Sequence, residues 1–153
     1  MSAGRTRAAP SGDGPAPVHL HATCVAFDGR GVLITGPSGT GKSGLGLRLI
    51  GLGAVLIADD LTRVSREDDQ LIAHQPPRLT GVIEARGVGL LHVPHQPRAR
   101  LVLQVDLSRT ATERLPHNHV RELLGLPLDT IFGVDAAYFP AAIRALATGG
   151  RSQ

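Results

Sequence analysis

The chain reads as an α/β fold, a mixed and partly antiparallel sheet with flanking helices, built around one phosphate-binding loop. Three observations predict it. The stretch Gly36-Pro37-Ser38-Gly39-Thr40-Gly41-Lys42-Ser43 satisfies G-x-x-x-x-G-K-[ST] at every fixed position, between the apolar run Val32-Leu33-Ile34 and a run of helical spacing. A second apolar run, Ala54-Val55-Leu56-Ile57-Ala58, ends in Asp59-Asp60, and ligands of open α/β sheets bind at such strand ends. Turn residues at 28–31 and 66–69 split other apolar stretches into hairpins, which makes part of the sheet antiparallel.

The elements follow in order. Residues 1–17 hold Gly, Ala, Pro, Ser and two arginines without apolar periodicity, so a disordered tail is expected. They lack the apolar segment of a secretory signal, and no apolar run in the chain is long enough to span a membrane, so a soluble, cytoplasmic protein is expected. The folded domain is placed at 18–148, with a flexible terminus at 149–153. Residues 18–27 read as a first strand, Asp28-Gly29-Arg30-Gly31 as a hairpin turn, and 31–35 as the strand that feeds the loop. That hairpin sets His21 near the loop strand. Leu45, Leu49 and Leu52 recur at helical spacing until Gly53 stops the helix, and 54–58 has the continuous apolar character of a buried central strand.

Residues 62–65 and 70–73 flank Arg66-Glu67-Asp68-Asp69 as a second hairpin. After a proline loop at 75–78, residues 81–91 enclose Glu84 and Arg86 among glycine and apolar residues. Two apart in a strand, these charges share a face, either as a salt-bridged surface pair or as part of a site. A further loop at 92–100 precedes a strand at 99–107. Residues 120–124 read as a short helical turn, 126–132 as a loop with a short strand, and 136–147 as a closing helix ended by Gly149-Gly150.

Composition bounds the partners. A hydrophobic content of 42% with only 3% aromatics implies a core of Leu, Val, Ile and Ala in a single domain. Cys24 is the only cysteine, which excludes an intramolecular disulfide and suits a reducing compartment. The net charge of +3 comes from scattered arginines, with Lys42 the only lysine. This balance suits a phosphate-rich or acidic partner, but no arginine run interleaved with aromatics marks a nucleic-acid groove.

The loop carries the chemistry. Its glycines permit torsions that turn successive amides inward, a nest for polyphosphate at the positive end of the following helix. In that arrangement Lys42 reaches the β- and γ-phosphates and the Ser43 hydroxyl ligates Mg²⁺. Phosphoryl transfer also needs a carboxylate base and a carboxylate near the metal, and Asp59 and Asp60 supply one of each, in either order. Asp is also common in a capped turn after a strand. His21, alone on an alternating strand, is more often a half-buried structural histidine. His19, His74, His92, His95, His117 and His119 form no metal-ligand grouping, and His117 with His119 reads as a solvated pair.

Taken together, His21, residues 31–43, Ile57-Ala58-Asp59-Asp60 and Glu84-Ala85-Arg86-Gly87-Val88-Gly89 resemble, in order and spacing, the catalytic domain of HPr kinase/phosphorylase. That bacterial enzyme acts on a serine of the phosphocarrier HPr. The resemblance spans roughly residues 18–91. It implies a P-loop kinase domain using ATP and Mg²⁺, with HPr as partner and a role in regulating the phosphotransferase system, by phosphorylation and by reverse phosphorolysis. It implies Asp59 as general base, Asp60 and Glu84 as metal-side carboxylates with Ser43, and His21 beside the transferred phosphate. Arg86 is implied to neutralise phosphoryl charge alongside Lys42, and a homo-oligomer is implied as well. Gly44 departs from the family's common glutamate, and the amino-terminal domain and carboxyl-terminal P-G-R-N-type segment of long members have no counterpart in these residues, as expected of a short form. Two further readings stay open: a kinase or ATPase acting on another acceptor, and a non-catalytic nucleotide-sensing module.

Overall fold

The computed structural model describes residues 14–114 and 117–150. Most of the predicted tail, residues 1–13, lies outside the described residues, as do 151–153. The first predicted strand is two: β1 (Val18–Leu20) and β2 (Ala22–Phe27), separated by a bend at His21. Asp28 and Gly29 both take positive φ, 51° and 79°, the two-residue turn whose twist suits a hairpin, and β3 (Arg30–Thr35) returns beside β2. Helix α1 (Lys42–Gly51) follows the loop and closes at Leu52, and β4 (Val55–Ala58) follows Gly53. The second hairpin is β5 (Thr62–Glu67) with β6 (Gln70–His74). A separate two-stranded hairpin, β7 (Val82–Ala85) with β8 (Gly89–His92), precedes the long strand β9 (Arg98–Thr110). The chain ends in β10 (His119–Leu123), β11 (Leu126–Gly133) and α2 (Phe139–Gly149).

Nine strands form one mixed sheet in the order β1-β5-β6-β9-β3-β2-β4, with β11 beside β9 and β10 beside β11. Strands β3, β9 and β11 are mutually parallel in their contacts, and β4 runs the same way as β3 because antiparallel β2 lies between them. The carboxyl ends of all four therefore gather at one end of the sheet, where ligands of α/β folds bind. One face carries α1 and α2, which bury Leu45, Leu49 and Ile143 against Val25, Val32, Ile34 and Leu56. The other face curls over a second cluster that includes Cys24, Leu33, Ile57, Leu71, Leu101 and Leu128. Burial on both faces explains why β2, β3 and β4 read as unbroken apolar runs. Cys24 is wholly buried, and burial pushes its thiol far above the ordinary range. Among the described residues no helix is long and apolar enough to cross a membrane.

Five expectations are corrected. Strand β4 is last in the sheet order and not central; its free edge is covered by loop residues, with Leu56 N–H donating to Pro94 O and Gln96 N–H to Leu56 O. Residues 120–123 are strand, since Leu124 and Gly125 (φ 51° and 81°) turn β10 back onto β11, and that pairing overrides the helical spacing of Val120, Leu123 and Leu124. Strand β11 is eight residues long. The closing helix begins at Phe139, with Pro140 in its first turn, and includes Gly149. His119 is not a solvated partner of His117: its ring lies 4.8 Å from that of Phe132.

Two measurements test this packing. A Cβ at Gly46 would lie 2.9 Å from Thr23 Cγ2, so α1 sits on β2 only because residue 46 has no side chain, and Gly46→Leu is expected to lower stability by about 1–3 kcal/mol. A Cβ at Gly44, in the same helix, meets nothing within 4 Å, so Gly44→Ala is expected to raise stability by up to about 1 kcal/mol. Urea denaturation of both variants separates close approach from helix propensity. The second concerns His74, whose Nε2 lies 2.6 Å from Ser65 Oγ. Burial, followed by Arg63 and Arg98, holds its pKa below the ordinary imidazole value against an opposing pull from Glu67. The unfolded chain then binds this proton more readily, so the stabilising contribution is complete above about pH 6.5 and is lost as pH falls below it. His74→Gln should flatten the decline in urea midpoint between pH 7 and 5; an unchanged slope would assign that decline to other groups.

Candidate functional site

Residues 36–43 wrap between β3 and α1. Gly36, Gly39 and Gly41 take φ of 148°, 85° and 91°, a conformation L side chains rarely adopt, and a Cβ at Gly36 would also lie 2.8 Å from Thr40 Oγ1. Thr40 donates its hydroxyl to Pro37 O at 2.7 Å and its N–H to the same carbonyl at 3.3 Å, which closes the turn. Lys42 is largely buried, and its Nζ donates to Gly36 O at 2.8 Å and Pro37 O at 3.2 Å. An ammonium has three donors, so the mouth of the loop keeps one for a ligand oxygen. Helix α1 is preceded by Gly41 as its N-cap, with no side-chain cap and no acidic residue in its first turn. Its leading amides are thus available to an anion, on the favourable side of the helix dipole.

Asp59 joins three elements. Its Oδ1 accepts the Ser43 hydroxyl at 2.6 Å and the Thr23 hydroxyl at 2.9 Å, while Oδ2 accepts the Glu84 N–H at 3.1 Å. Three of about four lone-pair positions are engaged, so Oδ2 can still accept a further proton. Thr23 is fully buried on β2 and was not singled out from sequence: a threonine in an apolar strand reads as a β-former, and only its spacing, two residues after His21, marks it. Asp60, with φ 69°, turns away from its neighbour, is exposed, and lines a cleft.

That cleft, about 620 Å³, is bounded by Ser38, Gly39, Gly41, Lys42, Ser43, Gly44, Leu47 and Arg48 on one side and by Asp60, Glu84, Ala85, Arg86 and Val88 on the other. The hairpin reaches it because Ile83 is buried in the core against α1 while Glu84 stays exposed. Arg86 lies in the hairpin turn with Gly87 and not on a strand, so it does not share a strand face with Glu84 as expected. His21 stands at the bend before Ala22, which pairs with Thr35 just ahead of the loop; it is exposed and does not line the cleft. The structure thus brings together the loop, Asp59, Asp60, Glu84 and Arg86, with His21 at the margin. Among the described residues no group of three or more His, Cys, Asp or Glu is disposed to hold a metal alone. One or two carboxylates with a hydroxyl suit an ion that takes its remaining ligands from phosphate and water, as Mg²⁺ does.

If Asp59 is the joint described, removing its oxygens leaves two hydroxyls and an amide without their acceptor. Asp59→Ala is expected to lower stability by about 1–3 kcal/mol, and Asp59→Asn by less because the amide oxygen still accepts. Thermal and urea denaturation check the ranking; no loss in either variant would show that the three hydrogen bonds contribute nothing.

Comparisons with known proteins identify a family. Residues 16–116 match the HPr Serine kinase C-terminal domain family. The chain is 39% identical over 122 residues to HPr kinase/phosphorylase of Bordetella petrii, a match covering 71% of this chain and 40% of that protein. It is 38% identical over 131 residues to HPr kinase/phosphorylase of Leptothrix cholodnii, covering 76% and 40%. The chain therefore spans about two fifths of the length of these curated relatives. Its fold superposes on the Hpr(Ser) kinase/phosphatase from Coxiella burnetii with a TM-score of 0.71 and 28% identity, over 84% of this chain and 87% of that one. With the matched segment running from before β1 past the end of β9, through the loop, Asp59 and the Glu84 hairpin, the chain belongs to the HPr serine kinase C-terminal domain family.

Proposed function

We propose that this chain is an ATP- and Mg²⁺-dependent protein serine kinase whose acceptor is HPr, with phosphorolysis of the phosphoserine as the reverse reaction. The observation that carries the reading is the Ser43–Asp59 hydrogen bond, which ties the phosphate-loop hydroxyl to a carboxylate facing the Glu84 hairpin. A loop hydroxyl backed by an aspartate is the pairing P-loop enzymes use beside their metal.

In this reading residues 36–43 wrap the polyphosphate, and Lys42 directs its remaining N–H at the transferring phosphoryl group. Ser43 with Asp60 and Glu84 would hold Mg²⁺, which when bound would supply charge neutralisation for the polyphosphate. The serine oxygen forms its bond to the γ-phosphorus as the bond from phosphorus to the β–γ bridging oxygen breaks, and ADP leaves. The serine proton passes to Asp59 Oδ2. Thr23 and the Glu84 N–H hold that carboxylate still while this happens, and Arg86 meets the charge of the transferring group from the opposite wall. His21, at the bend before Ala22, would have to turn toward the loop to donate a hydrogen bond to the phosphoryl oxygens.

Purified HPr incubated with this protein and Mg-ATP is expected to gain one phosphate on serine, located by mass spectrometry, while free serine and water are poor acceptors. Lys42→Ala should abolish nucleotide binding; Asp59→Asn should keep it and lose at least about 100-fold in transfer. Magnesium-dependent nucleotide binding lost in Asp59→Asn but kept in Asp60→Asn would exchange the two carboxylate roles. Nucleotide bound tightly without transfer to HPr or water would instead favour a nucleotide sensor.

A further inference from the structure

Beside the main cleft lies a second, of about 410 Å³, on the other flank of the start of α1. It is formed where the parallel strands β9 and β11 end, by Leu107, Arg109, Thr110, Val134, Asp135 and Phe139. Gly41, Gly44 and Arg48 line both clefts, so the two meet across the first turns of the helix. The meeting point is open because Gly44 has no side chain and nothing lies within 4 Å of where its Cβ would be.

Arg48 sits one helical turn after Gly44. Side chains of a helix lean toward its amino terminus, so the arginine covers the surface above Gly44. No carboxylate stands in the first turn of α1 to pair with it. Arg48 is exposed and, among the described residues, has neither a hydrogen bond nor an ion pair.

The two clefts are not equivalent for a bound nucleotide. The phosphate to be transferred must face the Asp59–Asp60 and Glu84 side, where the acceptor enters. The opposite end of the chain of phosphates then leaves the loop over Gly41 and Gly44. We propose that the second cleft seats the nucleoside of the bound nucleotide and that Arg48 clamps the α-phosphate where the two clefts join. This rests on the reading of residues 36–43 as a nucleotide phosphate site. A guanidinium at that junction adds paired donors to the helix amides, and the apolar wall of Leu107, Val134 and Phe139 takes the flat face of a base, with Asp135 available to accept its amino group.

The test compares Mg-ATP, Mg-ADP and Mg-pyrophosphate by titration calorimetry. Pyrophosphate fills the loop without reaching the junction. Arg48→Ala should weaken ATP and ADP about tenfold and leave pyrophosphate within about twofold, with Arg48→Lys recovering part of the loss. Thr110→Trp, an exposed position at the second cleft, should weaken ATP at least about fivefold and spare pyrophosphate. Nucleotides and pyrophosphate weakened alike, or neither weakened, would overturn the proposal while leaving the phosphate site intact. Wild-type protein that binds pyrophosphate as tightly as ATP would do the same. Wild-type protein that binds none of the three would overturn both the proposal and the phosphate site on which it rests.

Discussion

The Asp59 carboxylate is the constraint on which the site depends. Its three donors come from β2, from the first turn of α1 and from the β7–β8 hairpin, so this one side chain joins all three segments. Hydrogen bonds to an ionic acceptor are roughly twice as strong as neutral ones, and here they set relative positions as well as energies. The Ser43 bond fixes the start of α1 against the end of β4. The Glu84 bond fixes the hairpin, and with it the width of the main cleft and the reach of Arg86. Ser43 and Thr23 on Oδ1 and the Glu84 N–H on Oδ2 together oppose rotation of the carboxylate.

Sheet topology explains why such a joint is available. Strand β3 leads through α1 to β4 with antiparallel β2 inserted between them, so the loop and Asp59 emerge at the same end, one strand apart. Strands β9 and β11 extend the parallel set on the other flank of β3 and deliver Thr110 and Val134 to that same end. Strand β9 serves three neighbours along its thirteen residues, β6 and then β11 on one edge and β3 on the other. Acidic groups collect on one side of the loop and a mainly apolar wall with Arg109 on the other. A ligand crossing the loop thus meets chemically different ends.

What could be read from sequence follows from what fixes it. The loop is legible because each of its positions answers a backbone demand, positive φ at Gly36, Gly39 and Gly41 and a short reach for Lys42 and Ser43, that few residue types satisfy. The apolar runs of β2, β3 and β4 were legible as buried strands, but not their places in the sheet: β4 reads as central because residues 94–96 cover the edge that would otherwise need polar side chains. Strand β10 was misread because a helical spacing of three apolar residues is weak beside the turn at Leu124-Gly125. Arg86 was placed on a strand although Gly87 and Gly89 signal the turn that holds it. Thr23 left only its spacing from His21 as a signal, because its role arises from a partner thirty-six residues away.

Helix α1 shows how closely fold and site compete for the same residues. It carries Gly44 and Gly46 in its interior, each costing about 1 kcal/mol of helix propensity relative to alanine. Gly46 is required by packing: it lets the helix approach Thr23, and that approach is what brings Ser43 within 2.6 Å of Asp59. No packing demand exists at Gly44, where a side chain would point into open space. The same propensity penalty is thus offset by the sheet at one position and left uncompensated by the fold at the other. The glycine at 44 is thus one that packing does not require, at the junction of two clefts and one turn before Arg48, which has no hydrogen bond or ion pair among the described residues.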